Sequence, residues 1–232
     1  MTGPRLELRT DATLPLDECQ LGIVAVDAGS QPVRISARLN LVEGDLAIAI
    51  TGPAGHTARC AWPWPVDAPG RAVDLAPGAR LVGAVPLIST DTSAPLFPTP
   101  GAYTLVAEYD AAVDLRLSSP PVTVRRTPGQ DGVRAAALQD RDVIQSLLSA
   151  SLLGGAAAGL RALADGSRVA TRVLAALALD QLDVVAAAAA GDQSRSDVAA
   201  AVAAVLPAGV ADADPRRISL MTRLGDDGLS LQ

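Results

Sequence analysis

The stretch FPTPGAYTLVAEY, residues 97–109, decides the fold of the first half of this chain. Proline and glycine at positions 98, 100 and 101 form a turn that leads into a strand. Side chains alternate along a strand, so every second residue shares one face: Tyr103, Leu105, Ala107 and Tyr109. After a short gap at 110–112, a second alternating run contains Val113, Leu115 and Leu117. The pattern predicts a β-hairpin near the end of an antiparallel sandwich.

Further alternating runs, separated by glycine and proline, surround this hairpin. They lie at residues 21–25, 33–40, 46–50, 81–87 and 122–124. Pro120 and Pro121 interrupt the last of them, and proline cannot donate to a hydrogen-bonded ladder, so we expect this strand at a sheet edge or a bulge. Many short strands with frequent turns predict a two-sheet sandwich.

The segment from Gly101 to Tyr109 resembles the penultimate strand of immunoglobulin-like and fibronectin type III-like domains, in which a tyrosine near the strand start anchors a corner. Together with the turn at 77–78 and Phe97, it is similar to bacterial immunoglobulin-like domains of the intracellular proteinase-inhibitor type. The resemblance covers roughly residues 15–124. Leu105 stands where an antibody domain has its second disulfide cysteine, so the resemblance implies a sandwich without that disulfide. No inhibitory-loop motif is carried over.

Beyond a polar connector at 127–132, the hydrophobic period changes to that of a helix and aromatic residues disappear. Apolar stripes predict five helices, within 143–152, 160–165, 169–177, 182–190 and 196–206, and a sixth helix over 214–224. Alanine dominates these helices, and a buried methyl group contributes little apolar area. We therefore expect this half to require packing against the sandwich or a partner. Short helices in sequence fit a compact bundle or a helical solenoid, and the lack of a shared residue signature favours the bundle.

These patterns predict an α+β multidomain chain. Its parts are an antiparallel immunoglobulin-like β-sandwich over residues 1–126, a linker over 127–132, and an all-α bundle of about six short alanine-rich helices over 133–232.

Composition excludes several classes of function. The net charge is −6, and no basic face is available to neutralise phosphates, so we expect no nucleic-acid partner. Residues 1–7 lack the apolar core of a signal peptide, which favours a cytoplasmic location. The most apolar segment, 143–160, contains Gln145 and several serines and glycines, so we expect no membrane span. Without an export signal, Cys19 and Cys60 are expected to be free thiols.

The residues that carry chemistry are few. His56 is the only histidine and lies in a turn, and no Gly-x-Ser-x-Gly nucleophile elbow occurs. Two cysteines and one histidine are too few for structural zinc, and the acidic pairs do not follow calcium-loop spacing. His56 and Cys60 are separated by about 13 Å if the chain between them is extended. The sequence therefore predicts no catalytic, cofactor-binding or metal-binding residues, and no enzyme.

The segment Trp62-Pro63-Trp64-Pro65 is the most unusual local feature. Two tryptophans held by prolines fit an exposed docking platform for a protein partner, and His56 lies in the preceding turn. In the alternative placement, one tryptophan fills the core and the other covers a loop. We expect a non-enzymatic, cytoplasmic protein-interaction or scaffold protein with Trp62, Trp64 and His56 as candidate partner-binding residues. The alternatives are a structural or adaptor subunit of a larger assembly and a proteinase inhibitor.

Overall fold

The computed structural model describes residues 2–64, 66, 70–190 and 195–206. Within these residues the chain forms eleven strands: Arg5–Thr10 (β1), Thr13–Pro15 (β2), Gln20–Asp27 (β3), Val33–Ser36 (β4), Leu46–Thr51 (β5), Thr57–Cys60 (β6), Ala72–Leu75 (β7), Arg80–Leu87 (β8), Gly101–Ala112 (β9), Leu115–Ser118 (β10) and Val122–Thr127 (β11). The described residues also contain six α-helices: Gly132–Ala137 (α1), Arg141–Ser149 (α2), Ala157–Ala164 (α3), Val169–Ala178 (α4), Leu182–Ala189 (α5) and Arg195–Val205 (α6). The chain is thus a mixed α+β protein. The helix predicted over 214–224 lies outside the described residues.

Two sheets pack face to face around an apolar core. The middle sheet has the strand order β1-β3-β8, and the outer sheet has the order β2-β11-β9-β5-β6, with β10 also paired to β9. β4 and β7 form a separate two-stranded ribbon. Side chains from both sheets meet in one buried cluster that includes Leu6, Val24, Ile48, Leu105 and Tyr109.

β9 organises the outer sheet as its sequence predicts, because its four alternating residues are all buried. The Pro120-Pro121 interruption divides the partner strand into β10 and β11, and both pieces pair with β9. Ser119 fills the break: its hydroxyl accepts the Ala107 N–H at 2.9 Å, and its own N–H donates to the Ala107 carbonyl at 2.9 Å. The ladder therefore stays satisfied across the prolines.

The prediction that Val113 alternates in one strand with Leu115 and Leu117 is wrong. β9 continues through the expected gap as far as Ala112, so Val113 lies in the hairpin turn and is fully exposed. A register shift between Leu115 and Arg116 then restores the alternation that buries Leu117. The run predicted over 33–40 is also shorter than expected, since β4 ends at Ser36.

Tyr103 fastens the corner before β9. Its hydroxyl donates to the Thr99 carbonyl at 2.7 Å, and its ring packs edge to face on Phe97 with centroids 4.9 Å apart. Gly52 lies directly against the ring, where a Cβ atom would approach to 2.5 Å. The corner tyrosine implied by the resemblance is therefore present.

We expect Tyr103→Phe to lower the free energy of unfolding by about 1 kcal/mol, because the ring stays packed and the hydrogen bond to Thr99 is lost. Urea denaturation monitored by far-UV circular dichroism measures this change. A variant as stable as the wild type would show that the corner bond does not contribute to stability.

β3 is buried on both faces and thereby joins the two halves of the chain. Val24 and Val26 point into the sandwich, whereas Leu21 and Ile23 point away from it and contact the helical layer. On the neighbouring strand, Ala84 packs with alanines of α6. The molecule therefore has three layers: outer sheet, middle sheet and helices.

The helices gather around α4, which contacts α2, α3, α5 and α6. α4 is therefore the central helix among those that the structure describes. α1 was not predicted; it is a short helix whose N-terminus is capped by the Asp131 carboxylate, which accepts the N–H groups of Val133 and Arg134. No helix in the described ranges is both long enough and apolar enough to cross a bilayer.

Candidate functional site

Two adjacent carboxylates in the loop between β2 and β3 connect the sandwich to the helices. Asp17 and Glu18 are both buried. Asp17 accepts the backbone N–H groups of Gln130 at 3.2 Å and Asp131 at 3.0 Å, and forms an ion pair with Arg134 at 2.9 Å. It therefore holds the chain at the point where it enters α1.

Glu18 makes the second connection, to the start of α4. One carboxylate oxygen accepts the backbone N–H of Ser167 at 3.0 Å and its hydroxyl at 2.7 Å, and the other accepts the Thr171 hydroxyl at 2.5 Å. The Thr171 oxygen in turn accepts the Cys19 N–H at 2.9 Å. Glu18, Ser167, Thr171 and the Cys19 N–H thus satisfy one another, whereas the buried Nε of Arg134 has no hydrogen-bond partner among the described residues.

Burial by itself raises the pKa of the Asp17 carboxyl, but the N–H groups of Asp131 and Gln130 and the Arg134 guanidinium outweigh it, so the pKa lies below its ordinary value. A carboxyl with a lowered folded-state pKa stabilises the fold above its unfolded pKa of about 3.9 and loses that contribution as the pH falls through the folded pKa.

We therefore expect Asp17→Asn to lower the free energy of unfolding at pH 7 and to flatten the loss of stability below pH ~4. Urea unfolding at pH 7, 5, 4 and 3 tests this, and parallel curves for the two proteins would contradict it.

Arg126 lies beneath this junction and is almost completely buried. It donates to the Gln20 side-chain oxygen at 2.7 Å and to the carbonyls of Pro15 at 2.8 Å and Glu18 at 2.9 Å. Its guanidinium stacks over the Phe97 ring, 4.9 Å from the centroid. Burial lowers the pKa of Arg126 to about 10, which leaves it protonated at neutral pH. The neighbouring cavity measures about 20 Å³, enough for a water molecule but not for an organic substrate.

The two cysteines and the histidine are not brought together. Cys19 lies in the helical core and Cys60 in the sandwich core, and burial raises the pKa of each thiol to about 12. Both thiols therefore stay protonated at neutral pH, and a protonated thiol is a poor nucleophile. His56 and Cys60 lie at opposite ends of the extended β6. His56 occupies the turn after Gly52, where it is partly buried.

Trp62 and Trp64 follow β6 and lie against the helical layer. Their rings meet edge to face with centroids 5.0 Å apart, and both are partly buried against the helical core. The alternative placement put one of the two tryptophans in the core of the sandwich, but neither ring lies there. His56 does not share their surface, because β6 separates it from them. A role for these three residues in partner binding stays a prediction.

We expect Trp64→Ala to lower the free energy of unfolding by about 1–3 kcal/mol, less than the loss for a fully buried tryptophan, because the ring is only partly covered. Trp64→Phe, which keeps an aromatic ring at the contact, should recover much of the loss. Thermal unfolding of both variants checks this. An alanine variant as stable as the wild type would mean that the Trp64 ring does not stabilise the fold through its contact with the helical core.

One face of the outer sheet points away from the sandwich core and carries a regular set of exposed residues. Thr51 pairs with Thr57 on β6 and with Thr104 on β9, and Thr104 pairs with Thr123 on β11, so four exposed threonines form one row across four strands. Ala49, Ala102 and Val106 flank this row on the same side of the sheet. We call these seven residues the threonine face.

The charges around the threonine face are sparse and mostly positive. Arg59 borders it beside Ala49, and Arg125 borders it beside Ala102. Within the part of the chain that the structure describes, neither guanidinium forms an ion pair. Glu108, the nearest carboxylate on β9, is paired with Arg116 at 2.9 Å. On a chain of net charge −6, this face is therefore uncharged at its centre and cationic at two borders.

Sequence reasoning missed the threonine face because it depends on the register of four strands. β6 was not predicted at all, and Thr51 and Thr123 are 72 positions apart in the chain. The available signal was the alternation within each strand, which places each threonine on the face that its buried sequence neighbours do not share.

Comparison with known proteins identifies no family. No protein-family model and no curated protein matches the chain. Solved structures that match include the sporulation control protein Spo0M of Bacillus subtilis, with 13% identity and a TM-score of 0.32 over 65% of this chain. The match spans about 55% of the length of that protein. The CARDB domain of a Pyrococcus furiosus protein, solved in complex with di-metal ions, matches 54% of this chain and 93% of the domain, with 13% identity and a TM-score of 0.30.

Proposed function

We propose that this chain is a non-enzymatic, cytoplasmic protein-interaction or scaffold protein that binds a folded partner on the threonine face. The partner presents a flat, weakly polar surface bordered by carboxylates. The observation that carries this proposal is an uncharged sheet face bordered by Arg59 and Arg125, which form no ion pair with any residue that the structure describes. Charges at the rim of an interface steer association and fix register, while the centre of an interface is depleted of charge.

The architecture supports this choice of face. The helices cover the outward side of the middle sheet, so the outer sheet offers the remaining broad β surface. The strand orders β1-β3-β8 and β2-β11-β9-β5-β6, with β2 parallel to β11, support an immunoglobulin-like sandwich. Two buried, protonated thiols in separate cores support a reducing compartment and a non-catalytic role.

The test compares two arginine substitutions of exposed alanines. Ala49→Arg places a charge in the centre of the threonine face, and Ala187→Arg places the same charge on the exposed surface of α5. Tagged versions at native abundance are used to recover partners, and the binding of each recovered protein is then measured with purified components at 50 and 300 mM salt. We expect a partner whose affinity falls at least about tenfold with Ala49→Arg, is unchanged by Ala187→Arg, and weakens at high salt.

Equal recovery of every partner by the two variants would remove the threonine face from consideration. A wild-type chain that recovers no stoichiometric partner and stays a monodisperse monomer would overturn the interaction function itself. A partner complex of large mass and fixed stoichiometry would assign the chain to the adaptor class and not to transient binding.

A further inference from the structure

A cleft lies between the outward face of the middle sheet and the helical layer. Its volume is about 260 Å³, slightly below the range of about 300–1,000 Å³ that is usual for ligand pockets, so only a small molecule fits it. Strand β3 forms the floor, the N-terminal parts of α4 and α6 form one wall, and the end of β1 forms another. We call this space the β3 cleft. No part of the proposed function uses it.

The cleft is open because the helices present alanine where a larger side chain would reach the sheet. Leu21 and Ile23 of β3 point toward the helical layer and remain partly exposed. Ala170 of α4 and Ala200 of α6 line the same cleft and are themselves buried. A methyl group fills little space, whereas leucine at either position would occupy part of the cleft. The floor and the helical wall are therefore apolar.

Most of the charges that line the cleft are already paired. Arg9 bonds Glu7 at 2.7 Å, and Arg168 bonds Asp11 at 2.5 Å. The remaining charged residue of the lining is Asp197, in the first turn of α6. Among the side chains that the structure describes, none forms an ion pair or a hydrogen bond with the Asp197 carboxylate. The free charge of the cleft is therefore negative.

These two properties determine which chemistry suits an occupant. An ammonium group has a positive charge and three hydrogen-bond donors, which match the free carboxylate of Asp197. An apolar body attached to that group would cover Leu21 and Ile23 and remove their exposed surface from water. A carboxylate or phosphate occupant would instead meet a free negative charge and arginines that already have partners.

We propose that the β3 cleft binds a small organic ammonium ion, with its positive head at Asp197 and its apolar body over Leu21 and Ile23. The alanines at positions 170 and 200 leave room for this body. Removal of apolar surface from water supplies affinity, and the Asp197 charge selects cations over neutral and anionic molecules.

The probe is 2-phenylethylammonium, and its two controls share the aromatic body: 2-phenylethanol is neutral and 3-phenylpropanoate is anionic. Binding to the full chain is measured and located by titration of backbone amide NMR shifts. We expect saturable binding of the ammonium probe with a Kd of about 1 mM or lower, and shifts at residues 21–23 and 197–200. The neutral control should bind about tenfold more weakly, and the anionic control more weakly still.

Asp197→Asn removes the charge and keeps the shape of the side chain. We expect it to weaken binding of the ammonium probe about tenfold and to leave binding of 2-phenylethanol unchanged. Asp183→Asn is the matched control, because Asp183 also lies in the first turn of a helix, α5, but does not line the cleft. It should leave both affinities unchanged. A carboxylate in a first turn stabilises its helix in either case, so a purely structural role of Asp197 predicts the same result for the two variants.

Ala200→Leu tests the cleft itself by filling it from α6. We expect this variant to lose binding of the ammonium probe and to keep or exceed the wild-type free energy of unfolding, because the added side chain occupies open apolar space. If circular dichroism shows that Ala200→Leu does not fold, Ala170→Leu replaces it and fills the cleft from α4.

Three results would overturn the proposal. The first is the absence of saturable binding of the ammonium probe at concentrations up to about 10 mM. The second is a set of shifts that maps outside the cleft. The third is equal binding of the ammonium probe and 2-phenylethanol, because the Asp197 charge would then select nothing. The outcome at the β3 cleft is independent of the threonine face, since Ala49→Arg tests that surface separately.

Discussion

Arg126→Met is expected to lower the free energy of unfolding by about 3–5 kcal/mol. The methionine fills part of the space, but two buried oxygens, the Gln20 side-chain oxygen and the Glu18 carbonyl, lose the donor that Arg126 supplies. The Pro15 carbonyl loses one of its two donors and keeps the Glu18 N–H at 3.2 Å. Each buried acceptor left without a donor costs about 1–3 kcal/mol. The stacking of the guanidinium on Phe97 is lost as well.

Its matched control is the neighbouring residue on the same strand. Arg125 is exposed and forms no ion pair among the described residues, so Arg125→Met should change stability by no more than about 0.5 kcal/mol. Urea denaturation at pH 7 provides both values. Similar losses in the two variants would mean that the buried hydrogen bonds of Arg126 contribute no more than an ordinary surface arginine.

Glu18→Ala is expected to lower the free energy of unfolding by about 2–4 kcal/mol, and to loosen the helical layer before the sandwich. The substitution leaves the Ser167 N–H and the Thr171 hydroxyl without their acceptor at the start of α4, the central helix of the bundle. Trp62 and Trp64 are the only tryptophans and contact the helical core, so their fluorescence reports on this layer. We expect a red-shifted emission at denaturant concentrations that leave the sandwich folded.

Two further variants define the Glu18 contribution. Thr171→Val keeps the shape of the side chain and removes its hydroxyl, so its effect and that of Glu18→Ala should be strongly non-additive in a double-mutant cycle. Glu7→Ala removes an exposed carboxylate paired with Arg9 and Arg80 and should cost no more than about 1 kcal/mol. Additive effects of the Glu18 and Thr171 changes would show that the two side chains are not energetically coupled.

The sequence predicted elements whose signal is local. The alternation in β9, the break at Pro120-Pro121 and the stripes of α2 to α6 were each readable within a dozen residues. β1 was missed although Leu6 and Leu8 alternate with charged residues, because two apolar positions in so short a segment are a weak signal. Alternation also could not reveal that β3 is covered on both faces, since a strand looks the same whether its second face meets water or alanine-rich helices.

The polar junction and both candidate sites were beyond sequence reasoning for a different reason. Glu18 and Thr171 are 153 positions apart, and Asp17 and Arg134 are 117 apart. An acidic pair in a loop gives no sign that it is buried, and a threonine gives no sign of the strand register that aligns it with three others. Only the Trp62-Trp64 motif was conspicuous in the sequence, and both of its rings pack against the helical core.

The double coverage of β3 has a consequence for synthesis of the protein on the ribosome. Translation proceeds from the N-terminus at about 5–20 residues per second, so β3 emerges many seconds before α6. Until α6 is made, the outward face of β3 around Ile23 lacks the cover that this helix provides, even when the sandwich has folded. The nascent chain thus passes through a stage with an exposed apolar sheet face. Packing of α6 against β8 and β3 ends the interval in which that face is open to aggregation or to a chaperone.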